Sequence, residues 1–254
     1  MILLIGGTSE TAPIAAALLE LGEALTVSLA TATELSLPEH PRLAVRRGRL
    51  DRDGFQKLFI SCGINLVVDA SHPYAEELHR EVAAACAAAG VTRIRYRRPG
   101  TPLPEGTLLA PDHAAAARLA VSLGRPILLT TGSRHLAPYV AVAREAGIAL
   151  YARLLPGEES RAACLACELS GKRVEFARGP FSVQVTRDLL CRWEIGTLVA
   201  KDGGAASGLS ERLEAAQLEG AQVVVVTRPP DPGDAAESLE ELQIQVRTAL
   251  RGAA

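Results

Sequence analysis

Two short stretches carry side chains able to move protons or hold anions. The first is Asp69-Ala70-Ser71-His72-Pro73-Tyr74-Ala75, directly after an apolar run. Asp69 and His72 fall at the end of a predicted strand, where a carboxylate orders a loop and an imidazole gives or takes a proton near neutral pH. The plainer alternative is that Asp69 only orders the loop, with Ser71 capping a helix, Pro73 in its first turn and His72 on the surface. The second is Lys201-Asp202-Gly203-Gly204, after the apolar run Thr197 to Ala200. A fixed cation beside a flexible turn meets a carboxylate or phosphate, and Asp202 orients it or relays a proton. An exposed ion pair worth under about 1 kcal/mol is the alternative there.

Several turns nearby suit anions. Ile2 to Ile5 runs into Gly6-Gly7-Thr8-Ser9-Glu10, then a helical stretch with Pro13. A strand, a glycine turn and a helix N-terminus place backbone N–H groups where a phosphate sits, with Thr8 or Ser9 as cap. The full G-x-G-x-x-G fingerprint is absent, so an ordinary βα turn stays open. The next strand ends near Ser28, Thr31 and Thr33, with Glu34 later, a pattern that does not choose between NADH and NADPH. Thr130-Thr131-Gly132-Ser133 and Arg178-Gly179-Pro180-Phe181-Ser182 read as anion-facing turns or as plain turns. Arg98 and Arg228 each precede a proline at a strand end. Cys164 and Cys167 have redox-like spacing on a predicted helix without partner pairs, so they read as structural. His40, His79 and His113 are expected on the surface, and no metal site is expected. No tyrosine is followed four residues later by lysine, which argues against short-chain dehydrogenase chemistry.

Strands must present these residues. Apolar runs alternate with alanine-rich helical stretches, and Thr101 to Gly106 reads as a linker. Beyond it the pattern begins again. Residues 2–9 match 127–133, 45–51 match 176–182, 66–69 match 198–202, and Arg98-Pro99 matches Arg228-Pro229. The repeat predicts an α/β fold of two Rossmann-like halves with parallel sheets and an active-site cleft between them. The halves are expected at 1–100 and at 101–254, the second including the final helix from Glu237 to Leu250. In such sheets ligands bind at the carboxyl ends of the strands.

The chain of 254 residues is 48% hydrophobic but only 4% aromatic, with a net charge of −2. That charge gives no global attraction to nucleic acid or an acidic membrane, so an anionic ligand must be met by local arginines. The five scattered cysteines imply no disulfide framework and suit a reducing cytoplasm. The apolar opening reaches glycine too soon for a signal peptide, and no run approaches a membrane span. No obligate protein partner is indicated.

The motifs at 6–10, 69–75, 130–133, 178–182, 201–204 and 228–229, in that order, resemble the precorrin-6A reductase family of cobalamin biosynthesis. The resemblance covers about residues 2–230. It implies NAD(P)H-dependent reduction of one double bond of the precorrin-6A macrocycle, giving precorrin-6B, with NADPH or NADH as cofactor and a tetrapyrrole as substrate. It places the cofactor over Gly6, Gly7, Thr8, Ser9 and Glu10, with Ser28, Thr31 and Ser71 beside it. The proton source falls among Asp69, His72, Lys201 and Asp202. The many carboxylates of the macrocycle fall to Arg47, Arg134, Arg178, Lys201 and Arg228, with Tyr74, Thr131, Gly132, Ser133, Gly179, Ser182 and Gly203 around it. The forms at 132–135 and 201–204 look more like the cobalt branch of the family. Many relatives carry an Arg-Thr pair where this chain has Thr31-Ala32-Thr33, and a glycine-rich turn where it has Arg47 to Asp51. A different small-molecule oxidoreductase and a non-enzymatic nucleotide- or tetrapyrrole-binding protein are the rival readings.

Overall fold

The computed structural model describes residues 1–30, 35–204, 207–229 and 235–252. The chain forms two compact units, Met1–Pro99 with Pro229–Ala254, and Gly100–Arg228. Each is built on a six-stranded parallel sheet.

In the first unit the strands are β1 (Ile2–Ile5), β2 (Leu25–Leu29), β3 (Leu43–Arg47), β4 (Leu66–Asp69), β5 (Thr92–Tyr96) and β12 (Ala235–Ala236), in spatial order β12-β5-β4-β1-β2-β3. The helices are α1 (Thr11–Leu19), α2 (Arg52–Cys62), α3 (Glu76–Ala89) and α9 (Leu239–Gly252). Strand β1 explains the layering. Ile2 and Leu4 pack with Ile14 and Leu18 of α1 and Leu242 and Val246 of α9. Leu3 and Ile5 pack with Phe55 and Phe59 of α2 and Val82 of α3. Successive side chains of a strand point to opposite faces, and both faces are covered, so the run is wholly apolar. Local signals set the helix ends. Asp51 accepts from the Gly54 amide at 2.8 Å to begin α2, and Gly63, left-handed at φ 62°, ends it.

In the second unit the strands are β6 (Leu108–Ala110), β7 (Ile127–Leu129), β8 (Leu150–Leu154), β9 (Val174–Phe176), β10 (Thr197–Lys201) and β11 (Gln222–Val226), in the order β6-β11-β10-β7-β8-β9. Its helices are α4 (His113–Ser122), α5 (Leu136–Glu145), α6 (Glu158–Ala166), α7 (Val183–Arg192) and α8 (Leu209–Leu218). One core of this unit joins Leu198, Ala200, Val223 and Val225 to Leu189 and Leu190 of α7 and Leu213 of α8.

Both units have the doubly wound strand order, with the reversal at β1 and at β7. The expected α/β class, Rossmann-like halves and parallel sheets are what the chain forms. The expected division at residue 100 is corrected in its second part. The final helix, placed by sequence with residues 101–254, belongs to the first unit. There β12 pairs with β5, and α9 buries Leu242 and Val246 in that unit's core. Strand β6, which follows β5 in sequence, pairs with β11 and so stays in the sheet of the second half. Only β12 and α9 cross, supplying the sixth strand and its helix to the first unit's sheet. The reason lies in α9 itself: its apolar stripe finds partners on the face that α1 leaves half covered, and nearness in sequence does not decide that.

Leu242 is fully buried, so Leu242→Ala is expected to cost about 2–5 kcal/mol. Hydrogen exchange should show lost protection in β1, β2 and β4 while β7, β10 and β11 keep theirs. Loss confined to residues 100–228 would overturn this assignment of α9.

No helix among the described residues is long and apolar enough to cross a membrane. Cys164 is buried in α6 and Cys167 is half-buried just past its end, both as free thiols.

Candidate active site

The carboxyl edge of the first sheet brings several expected residues into one row. Pairing registers Ile5 with Ser28 on one side and with Asp69 on the other. Ser28 registers in turn with Arg46, and Asp69 with Arg95. The glycine turn emerges at the middle of this row. Gly7 has φ 115°, and a Cβ there would meet nothing within 4 Å. Gly6 has no such room, because a Cβ would come within 2.4 Å of Thr11.

This turn is closed differently from the sequence expectation. The amides of Gly7 and Thr8 both donate to Thr11 Oγ1, at 3.0 and 3.2 Å. Neither Thr8 nor Ser9 caps α1; Glu10 holds the cap position without a side-chain bond. Glu10 pairs with Arg98 at 3.1 Å, and Ser9 donates to Glu10 at 3.0 Å. The Thr8 hydroxyl is buried and has no hydrogen-bond partner among the described residues. The two amides are thus taken up internally, which leaves that hydroxyl and the helix terminus as the polar groups at this end. Ser28 is buried, and Thr31, Thr33 and Glu34 lie outside the described residues.

Asp69 is the most enclosed of the expected residues, with 0% exposure. Its Oδ1 accepts from the Ser71 amide at 3.2 Å and the Ser71 hydroxyl at 2.7 Å. Its Oδ2 accepts from His79 Nδ1 at 3.0 Å and from Arg93 at 2.6 Å. Burial alone would raise the carboxyl's pKa. The His79 hydrogen bond and the charges of His79 and Arg93 outweigh that and hold it well below the usual carboxylate range. Asp69 is therefore a permanent buried anion that folds the loop around itself. Ser71 serves this anion and does not cap α3, which starts only at Glu76. His79, expected on the surface, is buried. A carboxylate accepts only, so His79 Nδ1 carries a proton, and Nε2 faces the His72 carbonyl at 3.2 Å and Arg95 at 3.3 Å. His72 and Tyr74 are half-buried with ring centroids 5.6 Å apart. Arg47 is exposed on edge strand β3.

The carboxyl edge of the second sheet is cationic. Lys201 ends β10, the strand across the reversal from β7, as β4 is from β1. Burial, then the charges of Arg134 and Arg212, bring its pKa down to about 8. Arg212 donates to the carbonyls of Gly208 and Ser207, both at 3.0 Å. Burial lowers its pKa to about 10. Arg134 is exposed and pairs with Glu159 at 3.3 Å. The His113 and His135 rings stack at 4.1 Å, and His113 Nδ1 lies 2.9 Å from the Tyr139 hydroxyl. Burial first, then His135 and Lys201, lower the His113 pKa to about 4. That imidazole is neutral at pH 7. His113, expected on the surface, is thus part of this edge.

The remaining expected residues divide. Thr131 is buried with a hydroxyl that has no partner among the described residues, matching Thr8 in the other unit. Gly132 has φ 87°, and Ser133 accepts from Ser160 at 3.3 Å. Arg178 and Gly179 are exposed, and Ser182 caps α7 through the Val185 amide at 3.3 Å. Asp202 is taken up in structure. It accepts from the amides of Thr101 and Gly204 at 3.2 and 3.0 Å and pairs with Arg228 at 3.0 Å. Gly203 is buried beside it. Arg228 holds Asp202 as Arg98 holds Glu10, so the repeated Arg-Pro pairs mark the two points where the chain passes from one unit to the other. Sequence reasoning missed Arg153 and Arg212. Arg153 is buried inside the apolar strand β8, and a lone arginine in such a run is itself a signal. Arg212 sits on a helix of ordinary polarity, and nothing local marks it. Among the described residues no group of three or more His, Cys, Asp or Glu is placed to hold a metal ion.

Comparisons with known proteins point one way. A family model described as Precorrin-6x reductase CbiJ/CobK matches residues 1–247. The cobalt-precorrin-6A reductase of Synechocystis sp. is 30% identical over 244 residues, 94% of this chain and 93% of the relative. The precorrin-6A reductase of Rhodobacter capsulatus is 30% identical over 234 residues, 91% of this chain and 89% of the relative. A solved structure of CobK precorrin-6A reductase matches with a TM-score of 0.76 at 28% identity, over 98% of this chain and 96% of that one.

Proposed function

The chain belongs to the precorrin-6x reductase family of cobalamin biosynthesis, and on that premise we propose that it reduces one double bond of the precorrin-6A or cobalt-precorrin-6A macrocycle, with NADPH or NADH as the reductant. The observation that carries the substrate side is the cationic edge of the second sheet. A macrocycle bearing many carboxylates needs fixed cations, and Lys201 and Arg134 supply them at one strand-end cluster backed by Arg212. Thr131, Gly132, Ser133, Arg178, Gly179 and Ser182 form the turns around it, and Arg47 and Tyr74 stand on the first unit's edge.

The cofactor side fits the first unit. The Thr8 hydroxyl is a buried polar atom in need of an acceptor or donor, at a glycine turn with open space at Gly7. Gly6 to Glu10 would hold the diphosphate, with Ser28 toward the adenosine ribose. Reduced nicotinamide, when bound, supplies the hydride.

The residues of the chain do the rest. Lys201 binds a substrate carboxylate in its ammonium form. With a pKa of about 8, it is also the cation here best matched to giving up a proton at neutral pH. Of the other expected proton sources, His72 is the one kept here beside Lys201. Asp69 and Asp202 are withdrawn from the acid role, because their carboxylates are committed to Arg93 and His79 and to Arg228. Asp69 and Ser71 instead shape the loop that carries His72.

The two reference reductases act on different forms of the macrocycle at equal identity to this chain. The Gly132-Ser133-Arg134-His135 and Lys201-Asp202-Gly203-Gly204 forms favour the cobalt-containing one, with the cobalt as substrate cargo. The test is nicotinamide absorbance in the presence of metal-free and cobalt-loaded substrate. Loss of absorbance only when macrocycle and enzyme are both present is the expected result. Binding of both ligands without consumption would instead mean a carrier or sensor.

A further inference from the structure

We propose that Arg46, docked on Ser28, is the residue that reads the 2′-phosphate of the cofactor's adenosine and makes this chain prefer NADPH to NADH. The inference rests on the cofactor reading above and deepens it.

Ser28 closes β2 beside the glycine turn, and the Gly6 amide donates to its carbonyl at 3.1 Å. In a doubly wound sheet the adenosine ribose lies at the end of this second strand. A carboxylate there binds both ribose hydroxyls and rejects a phosphate; an arginine there accepts the phosphate. This strand ends Ser28-Leu29-Ala30, and its registered neighbour on β3 is Arg46. Arg46 Nη1 donates to Ser28 Oγ at 3.3 Å and to the Gly48 carbonyl at 2.5 Å, and Nη2 donates to the Arg49 carbonyl at 3.4 Å. Gly48, at φ 109°, turns the chain back so that its carbonyl reaches the guanidinium. Burial draws the Arg46 pKa below the ordinary arginine value, as for a cation held partly out of water.

A guanidinium carries five N–H donors in a planar fork matched to phosphate. Three described acceptors pin it, and the fork has more donors than they use. The repeat supplies a control. Ile2 pairs with Leu25 as Ile127 pairs with Leu150, so by strand register Ser28 and Arg46 correspond to Arg153 and Glu175, two residues from where the sequence match of 45–51 with 176–182 put Arg46. In the second unit that registered pair is an internal ion pair, and its charge is cancelled. In the first unit the arginine faces a neutral hydroxyl and forms no ion pair among the described residues.

The test is equilibrium binding by calorimetry, with 2′,5′-ADP against 5′-AMP and NADPH against NADH. Wild type should bind 2′,5′-ADP and NADPH at least about tenfold tighter than their partners lacking the phosphate. Arg46→Ala should abolish that gap while NADH affinity stays within about twofold, and Arg46→Lys should keep part of it. Melting curves of each variant verify folding. If Arg46→Ala weakens NADPH and NADH equally, or neither, Arg46 only braces its own turn and the proposal is wrong. Thr8→Val separates the two layers. If it weakens both nucleotides while Arg46→Ala alters no selectivity, only the phosphate assignment falls. If Thr8→Val leaves both affinities unchanged, the cofactor reading of this edge falls with it.

Discussion

Asp69→Ala is expected to destabilise the first unit by about 3–5 kcal/mol, because it strips the counter-ion from a buried cationic cluster. The carboxylate has no exposed surface, and Arg93 and His79 are themselves largely covered. Total stabilities of 5–15 kcal/mol are usual for domains, so such a loss removes a large part of what holds this unit. The pH dependence has a definite sign. The folded carboxyl holds its charge to a lower pH than the unfolded one. Its contribution is thus complete above the ordinary carboxylate pKa near 4 and is lost as pH falls below it. Asp69→Asn should flatten that acid limb. Urea unfolding of wild type and both variants between pH 3 and 7 measures this. An Asp69→Ala protein that melts like wild type and has lost turnover would return Asp69 to the reacting groups.

Lys201→Met is expected to lower kcat/KM by about 10- to 100-fold, the worth of one charge-assisted hydrogen bond to a carboxylate, and to raise stability at the same time. The two effects share one cause. Holding an ammonium in a partly dehydrated place near Arg134 and Arg212 lowers its pKa to about 8. In the unfolded chain the same group titrates near 10.4. The folded state therefore bears no penalty above that pH, a growing one as pH falls toward 8, and a constant one below. Removing the charge should return something on the order of 1–3 kcal/mol at pH 7. For catalysis the wild-type kcat/KM should fall as pH rises through about 8, where the free enzyme loses the ammonium. Lys201→Arg should move that limb upward, and Lys201→Met should lack it. Unchanged kcat/KM in Lys201→Met would dissociate Lys201 from the substrate.

The sequence made the two sheets legible because β1, β4, β7, β10 and β11 are apolar runs bounded by turn residues, and the turns recur in the same order in each half. What it concealed follows from contacts made at long range. Asp69 looked reactive because its position matched Lys201-Asp202. The alternation of Arg93 and Arg95 along β5 was the clue that a buried anion lay next to that strand, and it becomes readable only once β4 and β5 are paired. His79 and His113 looked like surface residues on helices. Each is held by a partner on another element, Asp69 and Tyr139 respectively. The glycine turn kept its place while its amides found an internal acceptor, the hydroxyl of Thr11 at the start of α1. Strand β6, three residues long, gave no periodicity to detect.

The return of β12 and α9 to the first sheet has a consequence for synthesis. Sheet one lacks its outermost strand and one covering helix until residues 235–252 have left the ribosome. At about 5–20 residues per second, translating everything after residue 99 takes roughly 10–30 s. Throughout that interval the nascent β5 edge stays unpaired and Leu4, Ile14 and Leu18 remain partly uncovered, whereas residues 100–228 meet all their own partners first. The later portion of the message thus yields the earlier finished body.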